Sequence, residues 1–303
     1  MSEIPSADEI VAWVVRPEAG ALTPVPFAPR LSTASCEPLR EIPIVDENGD
    51  HRLIHVPVER PLTLFVDGRE LVTLMTLGAS PEMLVLGYLR NQRLIENVVD
   101  IESVTVDWNS GTALVKTRAG VSGFGAENEP RLIGTGCALG TVFSDLMTKV
   151  DAMALPGTAT ARVSQRTLLR VLDTVRQYDA IHRAAGSVHS CALFHGADLL
   201  VSVEDVSRHN GVDTIAGWMA LHGVPGGDKI LFTTGRLTSE MVMKSAHNGI
   251  PILVSRNGVT AMGYDLAAKL GMVLFGRAAN RRFLCYVGAE RFDVEPPELR
   301  PAD

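Results

Sequence analysis

The chain has 303 residues, 46% hydrophobic and 21% charged, a balance that builds one large globular domain or two of moderate size and confines disorder to the ends. Its net charge of −7 and pI near 5.6 argue against nucleic acid as a partner, because phosphate backbones are bound by basic surfaces. Met1-Ser2-Glu3-Ile4-Pro5 lacks the basic start and apolar run of a signal peptide, and no later stretch is apolar for long enough to span a bilayer, so a cytoplasmic protein without a membrane partner is expected.

Residues 1–45, rich in Pro, Ser, Ala and Glu, read as a loosely ordered extension to which no chemistry is assigned. Residues 46–155 read as a smaller β-rich N-terminal domain. Strands are predicted over 53–58 and 62–66, and Asp67-Gly68 is the turn signal of a hairpin that continues over 70–75. A helix over 81–94 follows, with Ser80 as cap and Pro81 at its first position. Strands over 104–108 and 113–117 flank the turn Asn109-Ser110-Gly111. The domain ends in a glycine-rich loop and the helix after it.

Residues 156–303 change rhythm and read as an α/β cofactor-binding domain. Ser164 caps a long helix ending near Gly186. Strands over 190–194 and 199–203 surround His195-Gly196-Ala197-Asp198. Then come a helix over 208–221, a strand over 229–233, a helix over 238–248, a strand over 250–254, a helix over 260–270 and a strand over 272–275. Strands alternating with helices predict right-handed βαβ units and a mostly parallel sheet, with ligands at the carboxyl ends of the strands.

Four cysteines, Cys36, Cys137, Cys191 and Cys285, stand far apart with no Cys-x-x-Cys, which suggests neither a disulfide framework nor a zinc site, and no metal is expected. Cys137 sits in Ile133-Gly134-Thr135-Gly136-Cys137-Ala138-Leu139-Gly140-Thr141, ahead of apolar residues Val142, Phe143, Leu146, Met147 and Val150 at helical spacing. A helix beginning near residues 139–141 aims unpaired N–H groups at the sulfur and favours the nucleophilic thiolate. The same residue also fits as a small apolar group packed under a loop, and local physics does not separate the two.

The densest polar cluster, Glu204-Asp205-Val206-Ser207-Arg208-His209-Asn210-Gly211-Val212-Asp213, leaves a strand and enters a helix. His209 falls on the inward stripe with Val212, Ala216 and Met219, where it is an acid–base group or the hydrogen-bond partner of a buried carboxylate such as Asp205. Thr234-Gly235-Arg236-Leu237-Thr238-Ser239-Glu240 follows a buried strand and opens a helix, the architecture of an anion site, with a plain capping loop as the alternative. Gly276-Arg277-Ala278-Ala279-Asn280-Arg281-Arg282-Phe283 concentrates three arginines after another strand, either a solvated basic turn or, with Arg236, a cradle for phosphates. His189 stands at a strand start, while Cys191 and Cys285 fit core packing.

In this order, these stretches resemble the FdhD family, the formate dehydrogenase accessory sulfurtransferases. The likeness runs through Glu59-Arg60-Pro61-Leu62-Thr63, Leu84-Val85-Leu86-Gly87-Tyr88-Leu89, the Cys137 turn, Gly186-Ser187-Val188-His189, the 204–213 cluster and Gly235-Arg236-Leu237-Thr238-Ser239-Glu240-Met241-Val242. The resemblance implies a C-terminal domain of cytidine-deaminase-like fold, a homodimer, and binding of the bis(molybdopterin guanine dinucleotide) form of the molybdenum cofactor, with a guanine nucleotide as surrogate. It further implies that Cys137, loaded as a persulfide by a cysteine desulfurase, passes sulfur to the cofactor before insertion into formate dehydrogenase. Arg236, Ser239, Arg277, Arg281 and Arg282 then hold phosphates or guanine, with Phe275, Gly276, Ala278, Ala279 and Asn280 on the same stretch. His189, Asp205, Arg208 and His209 shape the cofactor cleft.

The family loop commonly carries Cys-x-x-Cys; Cys137 matches its first cysteine and Gly140 stands in place of the second. A cofactor-binding chaperone in which Cys137 carries no sulfur is therefore a second reading. A third is a zinc-dependent hydrolase acting on a nucleotide base, for which the expected His-x-Glu and Pro-Cys-x-x-Cys pieces are missing.

Overall fold

The computed structural model describes residues 25–120, 131–133 and 161–295. Cys137, Gly140, the helix expected beyond them and residues 1–24 of the N-terminal extension lie outside the described residues.

In chain order the elements begin with strands β1 (Arg30–Leu31), β2 (Leu39–Val45), β3 (His51–Pro57), β4 (Arg60–Val66) and β5 (Arg69–Thr76). Helix α1 (Pro81–Asn91) follows, then β6 (Ile101–Asp107), β7 (Thr112–Thr117), β8 (Arg131–Ile133) and β9 (Val163–Ser164). Next come α2 (Gln165–Tyr178), α3 (Ala180–Ala185), β10 (His189–His195), β11 (Asp198–Asp205) and α4 (Arg208–Leu221). The chain continues through β12 (Lys229–Thr233), α5 (Ser239–His247), β13 (Ile252–Ser255), α6 (Ala261–Lys269), β14 (Val273–Ala279), β15 (Arg282–Val287) and β16 (Phe292–Asp293). The fold is mixed α/β. Its two compact units are not consecutive stretches: the first comprises Met1–Leu139, Asp179–Ser190 and Ser202–Val224, the second Gly140–Tyr178, Cys191–Val201 and Pro225–Asp303.

In the first unit a six-stranded sheet runs β1-β6-β7-β4-β5-β8. The β4–β5 hairpin turns on Asp67 and Gly68, both with positive φ (48° and 81°), as the favoured two-residue hairpin turn requires. Asp67 also ties the turn to β7, accepting from the Thr117 amide at 3.0 Å and its hydroxyl at 2.6 Å. Leu62, Leu64, Val66, Val72 and Leu74 alternate onto one face and form a core with Leu84, Val85 and Leu89 of α1. Each such side chain removed from water stabilises the unit by about 1.5–3 kcal/mol. Helix α1 starts at Pro81, as the sequence indicates, but Ser80 makes no side-chain cap bond. It stops at Asn91 rather than near residue 94, because Arg93 turns into the left-handed region at φ 58°.

Helix α4 crosses α1 at two glycines. A Cβ on Gly87 would lie 1.7 Å from the Asp213 carbonyl oxygen, and one on Gly217 would lie 2.0 Å from that of Met83. The helices therefore touch backbone to backbone, which only glycine permits at both crossing points. Asn91 Nδ2 donates to Asp213 at 2.7 Å beside this crossing.

In the second unit lies most of the other six-stranded sheet, ordered β11-β10-β12-β13-β14-β15. Parallel pairing, expected for most of it, is confined to β12–β13 and β13–β14; β10–β12 and β14–β15 are antiparallel. The reason is connection length. Only two residues, Gly196 and Ala197, join β10 to β11, and only Asn280 and Arg281 join β14 to β15, and such short links cannot make a parallel crossover. On one face Ala192, Phe194, Phe232, Val254 and Phe275 pack with Leu168, Val171 and Leu172 of α2. Leu193, Leu231, Leu253 and Leu274, on the other face by alternation, are fully buried too.

The long helix expected from Ser164 to Gly186 is broken. Ser164 does cap its start, accepting from the Thr167 amide at 3.1 Å, but α2 ends at Tyr178 and α3 begins at Ala180 after the non-helical Asp179. The amides at the start of α3, Ile181 and His182, are bound by the Glu204 carboxylate, each at 2.9 Å. A cap supplied by a strand some twenty residues on leaves no trace in helical periodicity.

Candidate functional sites

In the first unit the polar motif around residues 204–213 lies almost wholly inside. Asp205 is buried and accepts four hydrogen bonds, from Thr76 Oγ1 at 2.5 Å, the Leu77 amide at 3.2 Å, the Ser207 amide at 3.0 Å and Asn210 Nδ2 at 2.8 Å. Burial nevertheless dominates and pushes its pKa up to about 6, against the donors, which favour the anion. Asn210 also donates to the Met75 carbonyl at 2.7 Å. The turn entering α4 is thus fastened to the downstream end of β5. Arg208 and His209 form the first turn of α4 and are buried, with Ser207 Oγ accepting from the His209 amide at 3.3 Å. His189 opens β10 and is partly buried.

Glu204, beside Asp205, is the second buried carboxylate. Burial raises its pKa, while the Ile181 and His182 amides and the Ser190 hydroxyl (3.3 Å) pull it down. Neither Thr76 nor the capping role of Glu204 was readable in the sequence, since both depend on partners at least twenty residues away.

In the second unit the carboxyl ends of β12, β13 and β14 carry the loops of interest. Thr233 Oγ1 accepts from the Gly235 amide at 3.1 Å, and Ser255 Oγ donates to the Gly235 carbonyl at 2.6 Å. Leu237 and Val259 form an isolated parallel bridge beyond the strands. Thr238 and Thr260 cap α5 and α6; Thr260 accepts from the Gly263 amide at 3.2 Å, whereas Thr238 makes no side-chain cap bond, so the first-turn amides of α5 keep no hydroxyl partner from it. Ser239 is the first residue of α5 and partly buried, and Arg236 is exposed.

The expected basic loop over 276–282 is instead a hairpin. Strand β14 continues through Gly276, Arg277, Ala278 and Ala279, Asn280 and Arg281 make the turn with φ 49° and 59°, and Arg282 starts β15. The apolar run at 272–275 gave no sign that the strand extends, because its continuation, Gly276-Arg277-Ala278-Ala279, sets one arginine among small residues. Phe275 is fully buried, edge-on to Phe283 at 5.6 Å and Phe292 at 5.2 Å, and Ala278 is also buried. Gly276 packs so closely that a Cβ would meet the Tyr286 ring at 2.8 Å. Arg281 pairs with Asp173 at 2.7 Å, and Asn280 accepts from Arg176 at 3.2 Å, which ties the hairpin tip to α2. Arg277 and Arg282 remain exposed.

Three cysteines fall among the described residues. Cys191 is fully buried, its thiol 3.3 Å from Thr233 Oγ1. Burial pushes the thiols of Cys36 and Cys285 up, away from thiolate. Among the described residues no cluster of three His, Cys, Asp or Glu side chains is placed to hold a metal ion, and no helix is long and apolar enough to cross a membrane.

Residues 57–293 match the model of the FdhD/NarQ family, which takes in most of the chain. The chain belongs to the FdhD/NarQ family. Among FdhD relatives, the sulfur carrier protein FdhD of Halalkalibacterium halodurans is 30% identical over 86% of this chain and 96% of its own length. That of Geobacillus kaustophilus is 29% identical over 79% and 90%. A crystal structure assigned as a formate dehydrogenase accessory protein of Desulfotalea psychrophila covers 84% of this chain and 98% of its own, with TM-score 0.66 and 24% identity, and so shares this fold. The family match spans both the buried 204–213 motif and the exposed strand-end loops.

Proposed function

We propose that this FdhD/NarQ protein is a sulfur carrier: Cys137 accepts sulfur from a cysteine desulfurase as a persulfide and passes it to the guanine-dinucleotide molybdenum cofactor before that cofactor enters formate dehydrogenase. The observation that carries the reading is the near end-to-end likeness to relatives named sulfur carrier protein FdhD. The remaining cysteines support it by their surroundings, since Cys191 is fully buried and burial disfavours the thiolate at Cys36 and Cys285.

In the loading step the Cys137 thiolate attacks the outer sulfur of the desulfurase persulfide, forming a new S–S bond as the donor cysteine leaves as thiolate. Release of that sulfur as sulfide takes two electrons. A second loop cysteine would supply them by closing a disulfide; with Gly140 in its place, an external thiol forms the mixed disulfide with Cys137 instead. Arg236, Arg277 and the first turn of α5, whose N-cap Thr238 makes no side-chain bond to it, suit the cofactor's phosphates. We read the second unit as a variant of the cytidine-deaminase-like fold, the protein as a cytoplasmic homodimer, and its sulfur-transfer role as that of a sulfurtransferase.

Gly140 favours one other reading, a chaperone that binds and delivers the cofactor without carrying sulfur. Incubation with a cysteine desulfurase and cysteine, followed by mass spectrometry, tests the carrier directly. An adduct of about 32 Da, one sulfur atom, is expected on Cys137. With the other thiols blocked, an unmodified Cys137 rules out the carrier and leaves the chaperone.

A further inference from the structure

Asparagine followed by glycine is the pair of residues most prone to spontaneous change, because a glycine amide, with no side chain beside it, closes most easily onto the asparagine side chain. The sequence holds four such pairs, Asn48-Gly49, Asn210-Gly211, Asn248-Gly249 and Asn257-Gly258. The reaction needs the glycine N–H uncommitted, and the structure separates the four on that point. Gly49 donates to the Asp46 carbonyl at 3.0 Å, Gly211 to that of Ser207 at 3.1 Å and Gly249 to that of Ala246 at 2.9 Å. Asn210 and Asn248 are also buried. Among the described residues the Gly258 amide donates to no backbone carbonyl. It meets the Asn257 side chain itself, 3.0 Å from Oδ1.

Exposure agrees with geometry. Asn257 is exposed in the loop after β13, so water and base reach it. The chemistry then needs no co-reactant but water. Base removes the Gly258 amide proton, and the nitrogen attacks Asn257 Cγ. A new C–N bond closes a succinimide ring, while the side-chain nitrogen takes up a proton and leaves as ammonia. Water opens the ring at either carbonyl, giving aspartate or isoaspartate, and nothing is oxidised or reduced. In isoaspartate the main chain runs through the former side chain and is longer by a methylene, and the old carbonyl of residue 257 becomes a free carboxylate.

This pair of residues is a joint in the second unit. The Arg277 amide donates to the Asn257 carbonyl at 2.7 Å, and the Leu237 amide donates to the Gly258 carbonyl at 3.0 Å. The Asn257 amide donates to the fully buried Ser255 hydroxyl at 2.9 Å, which in turn donates to the Gly235 carbonyl at 2.6 Å. The loops after β12 and β14 therefore both hang on adjacent carbonyls of the loop after β13. A methylene inserted between those carbonyls moves them apart, and the two bonds no longer fit together. We infer that Asn257 is a site of spontaneous deamidation, the first of the four pairs to convert, and that its isoaspartate form loosens the joint between the loops that follow β12, β13 and β14.

The test holds the full chain in mildly alkaline buffer and samples it by peptide mass spectrometry, with methyl uptake from a protein-isoaspartate methyltransferase as a second readout. A gain of about 1 Da, nitrogen replaced by oxygen, is expected on the Asn257 peptide ahead of the Asn48 peptide, together with methyl uptake. Gly258 lies outside the left-handed region and a Cβ there would meet nothing within 4 Å, so Gly258→Ala fits the fold. Its methyl group crowds ring closure and should slow the gain by about tenfold. In the aged wild type, hydrogen exchange at the Leu237 and Arg277 amides should quicken. Conversion at Asn48 before Asn257, or at the wild-type rate in Gly258→Ala, overturns the site. Conversion without methyl uptake, or with the Leu237 and Arg277 amides as protected as in the fresh chain, overturns the loosening.

Discussion

The 204–213 motif of the first unit and the 234–240 loop of the second unit are alike in sequence, each a polar run leaving a strand and opening a helix, yet they serve opposite ends in the energetic sense of burial and exposure. In the first, Asp205 spends its acceptor capacity on Thr76, Leu77, Ser207 and Asn210, and Glu204 caps α3. At the strand ends of the second unit, Arg236 and Arg277 face solvent from a scaffold of backbone bonds. A polar motif whose groups satisfy one another holds a fold together; one whose charges are left outward is shaped for something that arrives. Substitutions in the buried motif should therefore unfold the protein, and those in the loops should only disarm it.

The largest effect is expected at Asp205. Asp205→Ala leaves several buried donors without an acceptor and should destabilise the protein by about 4 kcal/mol, read from urea unfolding. Gly87→Ala should follow closely, at about 3 kcal/mol, because its Cβ would fall 1.7 Å from the Asp213 carbonyl oxygen and force α1 and α4 apart. A tolerated Gly87→Ala would mean that the helix crossing is looser than its geometry indicates.

The pH dependence sharpens the same contrast. Burial lifts the Asp205 pKa from 3.8 to about 6, so the folded state holds this proton more tightly than the unfolded state does. The corresponding stability is fully present below the unfolded value and is lost as pH rises through about 6, by up to about 3 kcal/mol. Asp205→Asn cannot titrate, so the stability difference between wild type and this variant should shift in that direction between pH 4 and pH 7. A difference that stays flat would show that Asp205 is ionised throughout. The smallest effects belong to the second unit: Arg277→Ala should change stability by less than about 0.5 kcal/mol, and Arg281→Ala, which breaks a half-exposed pair with Asp173, by about 0.5 kcal/mol. Of these two, only Arg277→Ala should weaken guanine-nucleotide binding. Thermal melts and a nucleotide titration on the same preparations distinguish them.

Much of the fold was legible wherever its cause is local. The Asp67-Gly68 hairpin, helix α4 over Arg208–Leu221 and strand β12 over Lys229–Thr233 follow from turn chemistry and periodicity confined to a few residues. Elements whose cause is distant were not. The break at Asp179 depends on Glu204, and the mixed character of the second sheet depends on two hairpins flanking its parallel centre. At the candidate site, Arg236 was legible because it stands in a glycine-bearing loop before a helix. The basic run at 277–282 is uniform in sequence, whereas folding turns Arg277 outward and ties Arg281 to α2.

The central claim is that sulfur passes through Cys137, and it is tested most directly by maturing formate dehydrogenase in the presence of Cys137→Ala and measuring both cofactor content and activity. The carrier account predicts an enzyme that contains the molybdenum cofactor yet is inactive, with activity restored by the wild-type chain. A fully active enzyme matured with Cys137→Ala would contradict it.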